Sequence, residues 1–308
     1  MPAHPLHEPV LAWYADHARD LPWRRPDCTP WGVFVSEVMA QQTPIARVLP
    51  AWLAWTQRWP TPADLAADAP GEAIRMWDRL GYPRRALRLH EAAREMVARH
   101  GGDVPDDEEA LRALPGVGGY TAAAVAAFAY GRRTCVVDTN VRRVLARTVT
   151  GVEYPAPALT AAEYALAAAV VPDDASTAAT WAVASMELGA LVCTARSPRC
   201  GDCPVLDRCL WQATGAPAHA GPPRRGQTYA GTDRYVRGLL LAALRAAAVP
   251  VEHDALARHV PQDALRDPLQ RERCLDSLVA DGLVEPLGGA LFRLPGGARG
   301  AVRAAPPT

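Results

Sequence analysis

Four of the chain's seven cysteines fall within residues 193–209, CTARSPRCGDCPVLDRC, and thiolates at that density are candidate metal ligands. The spacing is Cys193-x6-Cys200-x2-Cys203-x5-Cys209, one tight pair with a looser cysteine on each side. Structural zinc usually takes two tight knuckles, whereas an iron-sulfur cube takes four thiolates. The spacing therefore favours a [4Fe–4S] cluster, with structural zinc and unliganded buried thiols as alternatives. Cys28, Cys135 and Cys274 stand alone and read as core thiols. A second stretch, LPGVGGYT (residues 114–121), lies between two helical patterns. Gly116 and Gly118 are expected to adopt conformations closed to other residues, baring backbone N–H groups at a helix start where a DNA phosphate could sit. An ordinary helix–helix turn is the plainer possibility. About twenty residues on, VVDTNVRR (136–143) puts Asp138 where a loop enters a helix, as a catalytic carboxylate or simply an N-cap.

The elements that must position these groups are helices. From Glu8 to about Leu210 the apolar residues recur with helical period, and no segment sustains the alternation of a strand. Expected helices are VLAWYADHARD, VFVSEVMAQQT, IARVLPAWLAWTQRW, GEAIRMWDRLG, RALRLHEAAREMVARH, DEEALRAL, YTAAAVAAFAYG, TNVRRVLARTV, ALTAAEYALAAAV and TAATWAVASMELGALVC. A Pro- and Gly-rich stretch follows, and residues 216–230 read as a linker. Beyond it TDRYVRGLLLAALRAA, DALARHV and RDPLQRERCLDSLVADG read as three helices, and LVEPLGGALFRLP as a hairpin turning at Gly288-Gly289. The expected class is all-α, with a main domain over 1–215, a small winged-helix-like domain over 231–298 and a tail over 299–308.

At 308 residues and 49% apolar the chain is long enough for two or three cores. No run approaches the ~20 apolar residues of a membrane span, and MPAHPLHEPV has neither the basic end nor the apolar centre of a leader, so a cytoplasmic protein with no membrane partner is expected. Net charge is zero, so any basic surface is local. All 33 basic residues are arginine; the chain has no lysine.

Hairpin, aspartate and cysteine cluster, in that order and at those separations, resemble the helix-hairpin-helix DNA glycosylases of the endonuclease III superfamily. SEVMAQQT (36–43), PWR (22–24) and LGYPR (80–84) resemble the adenine DNA glycosylases of the MutY branch, and the likeness covers about residues 6–215. It implies excision of adenine opposite 8-oxoguanine or guanine in double-stranded DNA by a monomer, nucleoid-associated in a prokaryote. By the same resemblance Glu37 and Asp138 are the catalytic carboxylates, and Tyr120 and Asn140 orient them and the water. Gln42 and Tyr82 enter the base stack, Gly116 and Gly118 hold the backbone, and Trp23 and Arg24 line the adenine pocket. The winged-helix-like domain stands where many members carry a Nudix-like one.

Composition and chemistry bear on part of what the resemblance implies. A lyase of the endonuclease III type attacks the sugar with a lysine placed directly after LPGVG-x; Tyr120 stands there, and no lysine exists to substitute. Hydrolysis by paired carboxylates remains. Glu37, if buried, would have a raised pKa and could protonate the leaving base, whereas a surface helix carboxylate could not. Asp138, ionised at a helix start, would stabilise an oxocarbenium-like sugar. Ala40 and Val183 depart from the family pattern and would depolarise one wall of the pocket. Arg234, Arg237, Arg271 and Arg273 could clamp DNA, or the C-terminal domain could dock a protein or only pack. A mismatch thymine or uracil glycosylase and a non-catalytic iron-sulfur DNA-binding protein are the rival functions.

Overall fold

Residues 38–103 form a helical group that makes its contacts with the C-terminal segment, so contacts divide this chain differently from composition. Among the described residues, one compact unit lies within 1–37 and 104–223, the other within 38–103 and 224–308. The structure is a computed structural model and describes residues 4–219, 221 and 229–296. The expected tail and most of the expected linker lie outside them.

In chain order the helices are α1 (His7–His17), α2 (Pro30–Ala40), α3 (Ile45–Arg58), α4 (Pro62–Ala67), α5 (Pro70–Trp77) and α6 (Arg84–Arg99). There follow α7 (Glu108–Ala113), α8 (Gly119–Tyr130), α9 (Thr139–Leu145), α10 (Ala161–Ala169), α11 (Ala175–Leu191) and α12 (Leu210–Ala213). In the first unit α11 packs against α1, α8 and α9, closing a core of Val10, Trp13, Val141, Val144, Trp181 and Leu188. The Ala-rich α8 is buried from Thr121 to Ala127, since small side chains let it approach its neighbours closely. Residues 31–39 of α2 are buried without a break, as in a helix apolar on every face.

In the second unit α6 turns a stripe of Ala86, Leu89, His90, Ala93 and Met96 toward α4 and α5. Helix α4 escapes a reading by periodicity because it has six residues; its signal is a capping box in which the Thr61 and Asp64 side chains satisfy each other's backbone N–H. The C-terminal segment runs α13 (Asp233–Ala246), β1 (Val251–Glu252), α14 (His253–Arg258), α15 (Gln270–Ala280), β2 (Glu285–Leu287) and β3 (Leu291–Arg293). The three expected helices and the hairpin form, with Leu287 opposite Leu291. The two-residue β1, too short to show in the sequence, adds antiparallel to β3 in the order β1-β3-β2. The four arginines that could clamp DNA are engaged within the segment. Arg237 pairs with Asp281 at 2.6 Å, Arg273 with Asp267 at 2.9 Å, and Arg271 with Glu272 at 3.5 Å, while Arg234 lies 5.0 Å over the Tyr229 ring. Among the described residues no helix is long and apolar enough to cross a membrane.

Candidate active site

Glu37 projects from the buried helix α2 and is 8% exposed, which removes the solvated surface role. The Tyr120 hydroxyl, from the first turn of α8, donates to Glu37 Oε2 at 3.0 Å. Burial pushes the Glu37 carboxyl up to about 7, because its charged form loses water. The Tyr120 hydrogen bond holds it back, the Asp138 charge adds to the rise, and Arg24 opposes it. A carboxylic acid with that value is partly protonated at neutral pH and can act as a general acid.

Asp138 is the N-cap of α9. Its Oδ1 accepts from the backbone N–H groups of Asn140 at 2.8 Å and Val141 at 2.7 Å, and Oδ2 accepts from Asn140 Nδ2 at 2.6 Å. The cap and the catalytic group are therefore compatible roles for one residue. Burial raises its pKa above the usual carboxylate value, while these donors and Arg143 favour the ionised form. The Asn140 amide is oriented from behind: Arg143 Nη2 donates to Asn140 Oδ1 at 2.7 Å and to Gly189 O at 2.6 Å, so Nδ2 must face the aspartate. Helix α11 crosses so close that a Cβ on Gly189 would lie 2.6 Å from Asn140 Cβ and 2.9 Å from Asn140 O.

A third carboxylate completes this polar group. Glu187, 1% exposed on the otherwise apolar α11, takes bonds from Arg19 Nε and Nη2, each at 2.7 Å, and from Arg24 Nη2 at 2.8 Å. Burial opposes its ionisation, but the two arginines outweigh that and hold the carboxyl at about 2. Arg24 is thus fixed by Glu187, its Nη1 is buried with no partner among the described residues, and its neighbour Trp23 is buried. Neither Glu187 nor Arg19 stands in a motif; the signal the sequence offers is one acid amid the apolar positions of WAVASMELGALV. Gly189 carried no such signal.

The hairpin joins α7 to α8 through residues 114–118. Gly116 has φ 78°, as expected, but Gly118 does not need glycine for its backbone: at φ −95° and ψ 174° it is the extended N-cap of α8, a conformation any residue adopts. Gln42 and Tyr82 lie on two loops of the second unit, both exposed and both at left-handed φ, 54° and 47°. Arg85 ties these loops together. Its Nη1 donates to Val38 O, Met39 O and Gln41 O at 3.0, 3.1 and 2.6 Å, and its Nη2 to Thr43 Oγ1 and Gly81 O, both at 3.0 Å.

The four clustered cysteines line one cavity with Val144, Leu188, Val192, Val205 and Trp211. Arg147 Nη1 lies 3.3 Å from Cys193 Sγ, and Gln212 Nε2 lies 3.1 Å from Cys200 Sγ. Four thiols in an apolar pocket, with N–H groups aimed at the sulfurs, fit an iron-sulfur cluster. Of the loop arginines, Arg199 donates to Leu191 O at 2.6 Å, Arg208 to Pro5 O, and Arg196 is exposed.

Hairpin, buried acid, capped aspartate and four-cysteine loop together define a helix-hairpin-helix base-excision glycosylase. Comparison with known proteins agrees. Residues 35–164 match the HhH-GPD superfamily base excision DNA repair proteins, and residues 193–209 the iron-sulfur binding domain of endonuclease III. The chain is 52% identical over 296 residues to the adenine DNA glycosylase of Mycobacterium tuberculosis (strain ATCC 25618 / H37Rv), covering 96% of this chain and 95% of that one. It is 53% identical over 290 residues to that of Mycolicibacterium smegmatis, covering 93% and 95%. The solved structure of a thermostable thymine-DNA glycosylase is similar with TM-score 0.59 and 28% identity, over 67% of this chain and 94% of that one. The chain belongs to the adenine DNA glycosylase family. It is a base-excision repair enzyme, a hydrolase of N-glycosyl bonds that carries a [4Fe–4S] cluster.

Proposed function

We propose that the chain excises adenine opposite 8-oxoguanine or guanine in double-stranded DNA, as a monomer on the cytoplasmic nucleoid, and leaves the abasic strand intact. The observation that carries this is the Glu37–Tyr120 pair: an acid raised to about 7, hydrogen-bonded to the residue that stands where a lyase places its lysine. The target nucleotide leaves the stack, at a cost of a few kcal/mol, and enters a pocket lined by Trp23 and Arg24. Gln42 and Tyr82 occupy the gap, and backbone N–H groups at the hairpin, with Gly116 and Gly118, face a phosphate. Glu37 delivers its proton to a ring nitrogen of adenine, which turns a poor leaving group into a neutral one. Asp138 stabilises the positive sugar as the bond breaks, and water, oriented by Asn140 and Tyr120, adds to the anomeric carbon and releases a proton that restores the Glu37 acid. Cys193, Cys200, Cys203 and Cys209 would hold the cluster, which would order the loop that carries Arg196, Arg199 and Arg208 toward the DNA backbone.

A panel of duplexes carrying A, T or U opposite 8-oxoguanine or guanine tests the reading, with strand breaks scored before and after alkali. Cleavage confined to the A duplexes and dependent on alkali is expected. Excision of T or U opposite guanine would make the chain a pyrimidine mismatch glycosylase instead.

A further inference from the structure

Residues 78–83 join α5 to α6 and carry Tyr82, and three of them hold left-handed φ: Asp78 at 41°, Gly81 at 82° and Tyr82 at 47°. Leu80 N bonds back to Trp77 O at 3.2 Å, so residues 77–80 form a tight turn with Asp78, at ψ −120°, on a corner that glycine ordinarily occupies. Other residues persist in such conformations where their surroundings over-determine them. The helical half supplies part of the hold, through Trp77 Nε1 and Arg85 Nη2, which donate to Gly81 O at 2.9 and 3.0 Å.

The remainder comes from the C-terminal segment. Arg245, in the last turn of α13, donates through Nη1 to Asp78 O at 2.6 Å. Arg75, in the last turn of α5, donates in return to Arg245 O and, at 3.2 Å, to Ala247 O. Each arginine thereby caps the C-terminal carbonyls of the other's helix, where a cation meets the negative end of the helix dipole. At the far end of the loop Arg84 pairs with Asp281 at 3.4 Å, and Asp281 is itself anchored by Arg237 at 2.6 Å. Gly71 N, in the first turn of α5, donates to Pro295 O at 2.8 Å. The segment thus grips both ends of the Tyr82 loop.

We propose that the C-terminal segment serves to fix the 78–83 loop, and that Arg245 is a positioning residue which sets discrimination at the lesion through Tyr82. The proposal rests on the reading of Tyr82 as a residue that enters the base stack. Releasing the Asp78 carbonyl lets the 78–79 peptide rotate out of its strained turn, and Tyr82, half exposed, loses its fixed angle of entry. The segment then influences recognition without contacting a base.

The test compares single-turnover excision of adenine opposite 8-oxoguanine and opposite guanine for the full chain, Arg245→Met, Arg245→Lys, Asp281→Asn, Tyr82→Ala and the Arg245→Met/Tyr82→Ala double variant. The ratio of the two rates should fall about fivefold in Arg245→Met. It should recover in Arg245→Lys, which can still donate one bond to the same carbonyl. Arg245→Met should change the ratio no further once Tyr82 is Ala. Asp281→Asn, which opens the other end of the loop, should lower the ratio as well and serves if Arg245→Met fails to fold. If Tyr82→Ala keeps the parental ratio, the stacking reading itself fails and the proposal with it. If Tyr82→Ala flattens the ratio while Arg245→Met and Asp281→Asn, melting as the parent does, leave it unchanged, the clamp is structural alone and the proposal is overturned. An additional loss from Arg245→Met on top of Tyr82→Ala would mean that the segment touches DNA itself, which also overturns it.

Discussion

Replacing Tyr120 by Phe should move the pH at which excision fails, and should move it upward. The Tyr120 hydroxyl donates to Glu37 Oε2 at 3.0 Å, and a donor bond favours the ionised carboxylate. A hydrogen bond to a charged group is worth about 1.5–3 kcal/mol, and one pKa unit corresponds to about 1.4 kcal/mol. Without the bond Glu37 should titrate roughly one unit above its present value of about 7, allowing for partial replacement by water. On the proposed role of Glu37 as the acid, the reactive form is the protonated one, present below the pKa and lost above it. The alkaline limb of the single-turnover rate should therefore fall near 7 in the parent and near ~8 in Tyr120→Phe, whatever happens to the plateau. The assay is alkali-developed excision from an A-containing duplex across about pH 5.5–9, with enzyme in excess. A limb that stays put or moves toward lower pH would refute either the hydrogen bond's effect or the role of Glu37 as acid.

Glu37→Gln should abolish excision and leave duplex binding nearly intact, measured by fluorescence anisotropy; loss of binding would make Glu37 structural. The same variant should be more stable than the parent at high pH. A buried acid with raised pKa is penalised once the unfolded chain ionises, so the gain is absent below about pH 4.5 and approaches ~3 kcal/mol above pH 7 in urea unfolding. Gly189→Ala forces α9 away from α11 by roughly 1 Å and should cost about 1–3 kcal/mol of stability and about a hundredfold in excision rate, by misplacing Asn140 and Asp138. Glu187→Gln should lower the urea midpoint at neutral pH, because the depressed acid contributes fully above about pH 4.5 and loses its contribution as pH falls toward 2. Borohydride should trap no covalent adduct with DNA through a lysine side chain, since there is none.

Much of the molecule is determined by local pattern and spacing. The four cysteines announced a cluster because thiolates at such short intervals can surround one centre, and the long helices announced themselves because a buried stripe must repeat every three or four residues. The absence of lysine settled one chemical question outright. Short elements left no such record: α4 is set by two side chains at its start, and β1 exists because β3 offers it a partner.

What the tertiary structure alone decided is the company each residue keeps. Nothing in SEVMAQQT fixes a pKa; the value of about 7 arises because helix α2 is enclosed and residues distant in sequence bring a hydroxyl and a second carboxylate to it. Glu187 is equally silent until Arg19 and Arg24 fold onto it, and Gly189 until a helix crosses within van der Waals distance of Asn140. The arginines of the C-terminal segment acquire partners for the same reason. In sequence they suit a DNA clamp, a docked protein or packing alone, and in the structure Arg237, Arg271 and Arg273 find acids within the segment. Arg245, which carried no motif, reaches a strained carbonyl nearly 170 residues earlier in the chain. Spacing along a chain encodes local geometry, whereas pairing across it depends on packing that no single segment contains.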